Sequence, residues 1–318
     1  MERRRFGVTG LQISPVGFGG WAIGGDRNAT GSLGPSDDRE AVTAIRRALE
    51  FGVNWIDTAP GYGAGHSEEL VGQAINGLAE RPFIFTKCGF VWDARFAMVN
   101  VITAASIRYE VEQSLRRLGV EAIDLYQIHW VEPENDSLIE EAWATLADLK
   151  AAGKVRHVGV SNFDVGQLKR AGAIARVETL QPPYSLLDRG IETEILPYCA
   201  ENDIGVVVYS PMQSGLLSGA MTRKRVEQMP PDDARLSDPN FVGPRLDHNL
   251  QRVDRLRQLV ESWAWTPGEA AVAWTLRRSE VSGAIVGFRC PAQVDGVLSR
   301  GHLELDDERV AAVEAIGW

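Results

Sequence analysis

The chain has 318 residues, of which 44% are hydrophobic and 24% charged, a composition that supports an ordinary packed core and excludes intrinsic disorder. The formal net charge of −10 argues against nucleic acid or an anionic membrane as a partner, because both attract clustered Lys and Arg. The basic start MERRR is followed by a stretch broken by Gly, Thr, Gln, Ser and Pro, so no signal segment or membrane span is expected. With Cys88, Cys199 and Cys290 widely spaced and outside any CxxC pattern, a reducing cytoplasm is the expected location.

In chain order, RRRFGVTGLQIS predicts a small hairpin turning at Thr9 and Gly10 and closing the bottom of the fold. Eight short β-branched runs follow: PVGFG (15–19), VNWID (53–57), FIFTK (83–87), AIDLYQIH (122–129), VRHVGV (155–160), ETLQPP (178–183), GVVVYS (205–210) and GAIVGF (283–288). Between them lie amphipathic helices, one with Ala41, Ile45, Ala48 and Leu49 on a face, another with Ile107, Val111, Leu115 and Leu118. Ser137 with Glu140 predicts a capping box, and so does Thr266 with Glu269 behind Pro267. The segment 213–247 is too long for a plain connection and reads as a lid or binding loop. LDDERVAAVEAIGW closes the chain as a short packing helix. Eight strand and helix repeats without a break in composition predict one α/β domain over residues 1–318, a closed (β/α)8 TIM barrel with an N-terminal hairpin and a C-terminal helix.

In such barrels the chemistry sits at the C-terminal ends of the strands. There Asp57 ends the second run, Lys87 the third and His129 the fourth, and Tyr62 stands in the loop after the second. Any one of them reads equally well as a turn acid, a snorkelling lysine, a packed imidazole or a loop aromatic. Together, on adjacent strands, they form a chemical constellation. A phenol titrates near 10 and is a poor acid at neutral pH. An ammonium about 4 Å away stabilises its phenolate by on the order of 4 kcal/mol at an effective dielectric of ~20, before desolvation opposes it. Lys87 is therefore expected to lower the pKa of Tyr62, with Asp57 pairing the buried ammonium. A neutral His129 would donate an N–H to a carbonyl oxygen. This combination suits protonation of the alkoxide formed when hydride reaches a carbonyl.

GGWAIGG, IDTAPGYGAGHSEELVG, FTKCG, DLYQIHW, GKVRHVGVSNF, QPPYSLL, YSPMQSGLLSG and IVGFRCPAQVD, in this order from about Arg4 to the last helix, resemble the aldo-keto reductase superfamily, and within it the bacterial inositol-cluster and general-stress enzymes. The resemblance implies a (β/α)8 barrel and NADPH-dependent reduction of aldehydes and some ketones, with Asp57, Tyr62, Lys87 and His129 as the catalytic group. It also implies a cofactor groove. Trp21, Asp57, Ser161, Asn162 and Gln181 would lie near the nicotinamide and Tyr209 would stack on it. Ser210, Pro211, Met212, Gln213 and Gly215 would run beside the pyrophosphate. Gly287, Arg289 and Gln293 would hold the adenosine end, and Arg235 would close over the phosphates, with Arg223 and Arg245 competing for that part. Gly219-Ala220 and Asp295-Gly296 replace the Gly-Lys and Glu-Asn of many relatives and predict weaker phosphate and adenine contacts. Trp21, Tyr62, Trp92, His129 and Trp130 would face a small-molecule carbonyl substrate, while Cys88 should point away from the mouth. Two alternatives carry the same residues: an NADP-dependent sugar or polyol dehydrogenase, and a cofactor-binding regulatory subunit.

Overall fold

The computed structural model describes residues 1–26, 32–95 and 97–318. Strands β1 (Arg4–Arg5) and β2 (Gln12–Ile13) pair antiparallel across a 3-10 turn at Gly7–Thr9, with Gly10 left-handed behind it, which is the expected hairpin. Then come β3 (Val16–Gly19), β4 (Trp55–Asp57), β5 (Phe83–Cys88), β6 (Phe90–Trp92), β7 (Met98–Asn100), β8 (Ile123–Ile128), β9 (Val155–Ser161), β10 (Thr179–Gln181), β11 (Gly205–Val208) and β12 (Val281–Gly287). All except the short antiparallel pair β6 and β7 join one closed parallel barrel in chain order, sealed where β12 meets β3 with Ala284 opposite Val16. The barrel strands coincide with the eight runs read from the sequence; the β6–β7 hairpin was not expected.

Eleven helices are described: α1 (Asp38–Glu50), α2 (His66–Ile75), α3 (Ala104–Leu118), α4 (Ile139–Ala151), α5 (Val165–Ile174), α6 (Ile195–Glu201), α7 (Arg223–Glu227), α8 (Gly243–Glu261), α9 (Pro267–Thr275), α10 (Pro291–Leu298) and α11 (Asp307–Glu314). In α1 the residues Ala41, Ala44, Ile45 and Ala48 are buried, and in α3 Ile107, Val111, Leu115 and Leu118. Thr266 and Glu269 form the expected reciprocal cap of α9. The box expected from Ser137 and Glu140 does not form. Residues Pro133–Leu138 wind as a 3-10 helix and α4 starts at Ile139 without a side-chain cap, because Glu140 is held by Arg170 at 2.7 and 2.9 Å. A forked charge-assisted pair outcompetes a local cap.

Segment 213–247 is not a bare loop. It contains 3-10 turns, α7 and the start of α8, anchored by a small core of Leu216, Met221, Val226, Phe241 and Leu246.

Strand alternation sorts the barrel side chains. Ile56, Ile84, Cys88, Tyr126 and Ile128 join the core beneath the helices. Trp55, Phe85, Leu125, Val207 and Ile285 pack with Phe6 and Ile13 of the hairpin in a separate cluster filling the lumen. Two residues further along these strands stand Asp57, Lys87, Gln127 and Tyr209, so the polar layer rests on an apolar plug. The plug is tight: a Cβ on Gly17 would come within 2.3 to 2.5 Å of the Trp55 ring. Gly17→Ala is expected to destabilise by about 1–3 kcal/mol through overpacking. In a Trp55→Leu background, urea unfolding should show the same substitution costing clearly less; equal cost in both backgrounds would refute the packing account.

Candidate active site

The layer above the plug is built around one ammonium. Lys87 Nζ donates to Asp57 Oδ1 at 2.6 Å, to the Thr58 carbonyl at 3.0 Å and to Tyr62 Oη at 3.2 Å, which uses its three N–H groups. Both partners of the ion pair are buried, with side-chain exposure of 0% for Lys87 and 3% for Asp57. The second oxygen of Asp57 accepts Gln181 Nε2 at 2.8 Å. The Tyr62 loop is pinned from two sides. Thr58 and Ser67 share a hydroxyl contact at 2.8 Å, with Ser67 reaching on to the Gly20 carbonyl. Gly63, at φ 65°, lies so close to Gly24 that a Cβ would fall 1.8 Å from its carbonyl oxygen, so only glycine fits there. His129 follows β8, its backbone N–H bonded to the Cys88 carbonyl at 2.9 Å. Its ring meets Tyr62 edge-on at 5.6 Å and Phe90 edge-on at 5.2 Å. The structure thus brings Asp57, Tyr62, Lys87 and His129 together and adds Phe90, which sequence reasoning missed because β6 is three residues long and begins behind Gly89.

Burial sets the protonation states. It pushes the Tyr62 phenol up, and although Lys87 pulls it down the net direction is above the ordinary tyrosine value. The expected net lowering therefore does not hold here: desolvating a phenolate outweighs the neighbouring cation. Burial presses Lys87 towards neutrality, but Asp57 and then Tyr62 reverse this and hold it charged. His129 is driven well below its usual value by burial and then by Lys87, so its imidazole is neutral, with Nδ1 buried and without a protein partner. Cys88 is buried beneath the helices with its thiol pushed well up.

Beside this cluster the groove residues bind one another. Ser161 Oγ donates to the Gln181 carbonyl at 2.7 Å. Asn162, at φ 61°, donates to the His129 carbonyl and to Ser161 Oγ, both at 3.0 Å, and accepts the Tyr209 hydroxyl at 2.8 Å. After Tyr209 the backbone is left-handed at Ser210, Gln213, Ser214 and Gly215. Left-handed backbone at the non-glycine residues Ser210, Gln213 and Ser214 is strained, and the Gln213, Gly215 and Leu216 N–H groups are spent inside the turn on the carbonyls of Ser210, Met212 and Gln213. Pro211 is buried and Met212 half-buried, the Met212 sulfur lying beneath Gly268. The Gln213 amide is tied to Ser185 at 3.0 Å and to Asp238 at 3.1 Å.

Further out, Gly287 ends β12 against Ala22, and Gln293 Oε1 accepts the Arg289 backbone N–H at 2.8 Å. The Arg289 guanidinium donates to the carbonyls of Ala22, at 3.1 Å, and Leu33. Burial and then Arg235 lower its pKa, Asp233 opposes them and Arg225 adds to them, so three guanidinium groups and one carboxylate share this region. Arg235 is bidentate to Asp233 at 2.8 and 2.6 Å. Arg223 is paired with Asp247 on the surface. Asp295 is engaged by Arg47 at 2.7 Å. Of the tryptophans, Trp21 is half-buried on the 3-10 helix Gly20–Ile23. Trp92 lies on β6 with its ring 5.7 Å from the Arg117 guanidinium, and Trp130, beside His129, is exposed.

Residues 15–317 match the model of the aldo/keto reductase family. The chain is 37% identical over 300 residues to aldo-keto reductase YhdN of Bacillus subtilis, covering 93% of this chain and 88% of that one. It is 36% identical to the NADH-specific methylglyoxal reductase of Escherichia coli, covering 96% and 95%. Among solved structures, the glycerol dehydrogenase of Gluconobacter oxydans superposes with a TM-score of 0.87 at 38% identity, covering 99% of this chain and 94% of that one. An aldo/keto reductase of Klebsiella pneumoniae in complex with NADP and acetate gives 0.75 at 25% identity, covering 99% and 95%. A closed eight-stranded barrel, the polar cluster at its mouth and these likenesses lead to one conclusion: the chain belongs to the aldo/keto reductase family and is an oxidoreductase.

Proposed function

We propose that the protein reduces aldehydes and some ketones to alcohols with NADPH, and that Tyr62 is the proton donor. The observation that carries this reading is the Lys87 ammonium 3.2 Å from the Tyr62 hydroxyl and 2.6 Å from Asp57. The donor set suits a dinucleotide: the side-chain amides of Asn162 and Gln181, an aromatic ring at Tyr209 and the neighbouring guanidinium groups of Arg289, Arg235 and Arg225. Ser161, Asn162, Gln181 and Tyr209 would hold the nicotinamide, with Trp21 alongside. Ser210 to Gly215 would hold the pyrophosphate, and Gly287, Arg289, Gln293 and Arg235 the adenosine end. When bound, the reduced nicotinamide supplies the hydride.

The chain's own part is to orient the carbonyl and move one proton. The neutral His129 ring donates to the carbonyl oxygen without adding a charge to the pocket. Tyr62, held protonated by burial, gives its proton to that oxygen as negative charge builds there. The phenolate left behind is stabilised by Lys87, which Asp57 keeps charged.

With NADPH and a panel of aldehydes, loss of the reduced-nicotinamide absorbance is expected. Tyr62→Phe should lower kcat by roughly 10²–10⁴ while nucleotide affinity stays near normal; full activity in that variant would reject the assigned acid. Lys87→Met should lower kcat and move the alkaline limb of the pH profile upward, since the downward pull on the phenol is gone. Nucleotide preference has its own test. Arg289→Ala should weaken NADPH binding by about tenfold, the value of one charge-assisted pair of roughly 1.5 kcal/mol, and leave NADH nearly unaffected; equal weakening of both would show that Arg289 does not select the phosphate. A second reading, oxidation of a sugar or polyol, is favoured by the likeness to a glycerol dehydrogenase. Comparing kcat/KM for polyol oxidation with that for aldehyde reduction decides between them, the larger value identifying the working substrate class.

A further inference from the structure

Behind β5, on the side away from the lumen, α3 carries a carboxyl group that the reaction above does not use. Glu110 is 4% exposed. Its Oε2 accepts the Gly89 backbone N–H at 3.0 Å and its Oε1 the Ser106 hydroxyl at 2.9 Å, and the Phe90 amide is also turned towards it. Gly89 stands two residues after Lys87 at φ 100°. Its carbonyl accepts Asn100 Nδ2 at 2.8 Å and the Val101 N–H at 3.1 Å. The same Asn100 amide reaches the Trp130 carbonyl at 3.1 Å, next to His129. Both peptides flanking Gly89 are therefore fixed, and the β6–β7 hairpin grows from that point. Phe90 sets its ring 5.2 Å from His129, while Met98, across the hairpin, lies against Gly61, the neighbour of Tyr62.

We propose that Glu110 is a positioning residue for carbonyl binding: from behind the strand its carboxylate clamps the Gly89–Phe90 backbone and so holds Phe90 and the hairpin against His129 and the Tyr62 loop. This rests on the reading that Tyr62 and His129 face the substrate. A glutamine would make similar bonds without burying a charge, so the carboxyl adds the capacity to ionise. The groups that act on it are Glu68 on α2, Ser106 on α3, Cys88 on β5 and Tyr126 on β8, and Glu68 in turn accepts Thr86 of β5 and Arg117 of α3. Arg117, the cation of this cluster, bonds Glu68 at 2.6 Å. Glu110 is thus raised to about 7, chiefly by burial, with Glu68 adding to it and the bonds from Ser106 and Gly89 opposing it. Above that pH the clamp is a charge-assisted bond; below it the acceptor is neutral and the bond weaker.

The test is a pH series of steady-state aldehyde reduction from pH 5.5 to 9, on the wild type, Glu110→Gln and Glu110→Asp. In the wild type KM for the aldehyde should rise about fivefold towards acid, the ratio for a difference of ~1 kcal/mol between charged and neutral hydrogen bonds, with its midpoint near 7. Glu110→Gln should show one KM throughout, with nucleotide affinity unchanged and the alkaline limb of kcat retained. Glu110→Asp should raise KM yet keep the inflection. A wild-type KM without the inflection, or an inflection that survives in Glu110→Gln, overturns the proposal. Should the glutamine variant fail to fold, the Gly89 amide resonance of ¹⁵N-glycine-labelled wild type substitutes: it is expected to shift with a midpoint near 7, and a stationary signal overturns the proposal. Tyr62→Phe run beside these separates the two ideas. Retained activity there removes the reading of the mouth, whereas an inactive Tyr62→Phe with an unaltered Glu110→Gln profile removes only the clamp.

Discussion

An ammonium group with no solvent exposure inside a barrel lumen is the constraint from which the rest of the mouth follows. Taking a charge of this size out of water costs several kcal/mol even after relaxation, and only a partner of opposite sign at close range makes it tolerable. Asp57 is that partner at 2.6 Å, and its remaining oxygen must in turn be bonded, which Gln181 does from the opposite side of the lumen. The Gln181 carbonyl accepts Ser161, whose hydroxyl also accepts Asn162, whose amide oxygen accepts Tyr209. One compensated charge thereby organises groups on β4, β5, β9 and β10 and just beyond β11 into a single network. Cooperative networks of this kind are stiff when fully satisfied, and a rigid set of donors is what a charge-developing reaction requires.

The same burial acts in opposite senses on the two groups that flank the charge. It keeps the phenol of Tyr62 protonated and the imidazole of His129 neutral, because in each case the ionised form is the one that loses hydration. A mouth holding a cation, a carboxylate, a neutral acid and a neutral donor has no net charge left over. The apolar plug of Trp55, Phe85, Leu125, Val207 and Ile285 beneath it supplies the low dielectric that makes each of these states strong.

The barrel was legible because its strands are short β-branched runs that end on reactive residues, and because a period of two sends Asp57 and Lys87 to the same side as Trp55 and Phe85. What stayed hidden was set by contacts distant in sequence. Glu140 reads as the third residue of a cap, but Arg170, thirty positions later, binds it more strongly. FVW and MVN are too brief to announce a hairpin; they pair just beyond Gly89, which Glu110 and Asn100 hold between them. Glu110 itself lies in a charged helical stretch where a glutamate ordinarily faces water, and only the packing of α3 on β5 shows that it does not. The direction of the Tyr62 shift was likewise out of reach, since the sequence names both the attraction and the opposing desolvation but not how deeply the phenol is buried, which decides between them.

The two ends of the groove are built on different principles. At the chemical end Asp57, Lys87, Ser161 and Gln181 sit on barrel strands and are already bonded to neighbours, so little has to move. At the outer end Arg289 is engaged by backbone carbonyls of Ala22 and Leu33, and Arg235 by Asp233, all carried by connecting segments. The Arg289 guanidinium is bound to neutral carbonyls, and the repulsion from Arg235 and Arg225 is opposed by Asp233, so an anion entering there would relieve it further. An anion there exchanges ordinary hydrogen bonds for charge-assisted ones, so its binding energy appears as a difference and not as a full contact. On the proposed reading, nucleotide choice would be set by small energies at the rim and the reaction by large ones in the lumen, which would let the first vary without disturbing the second.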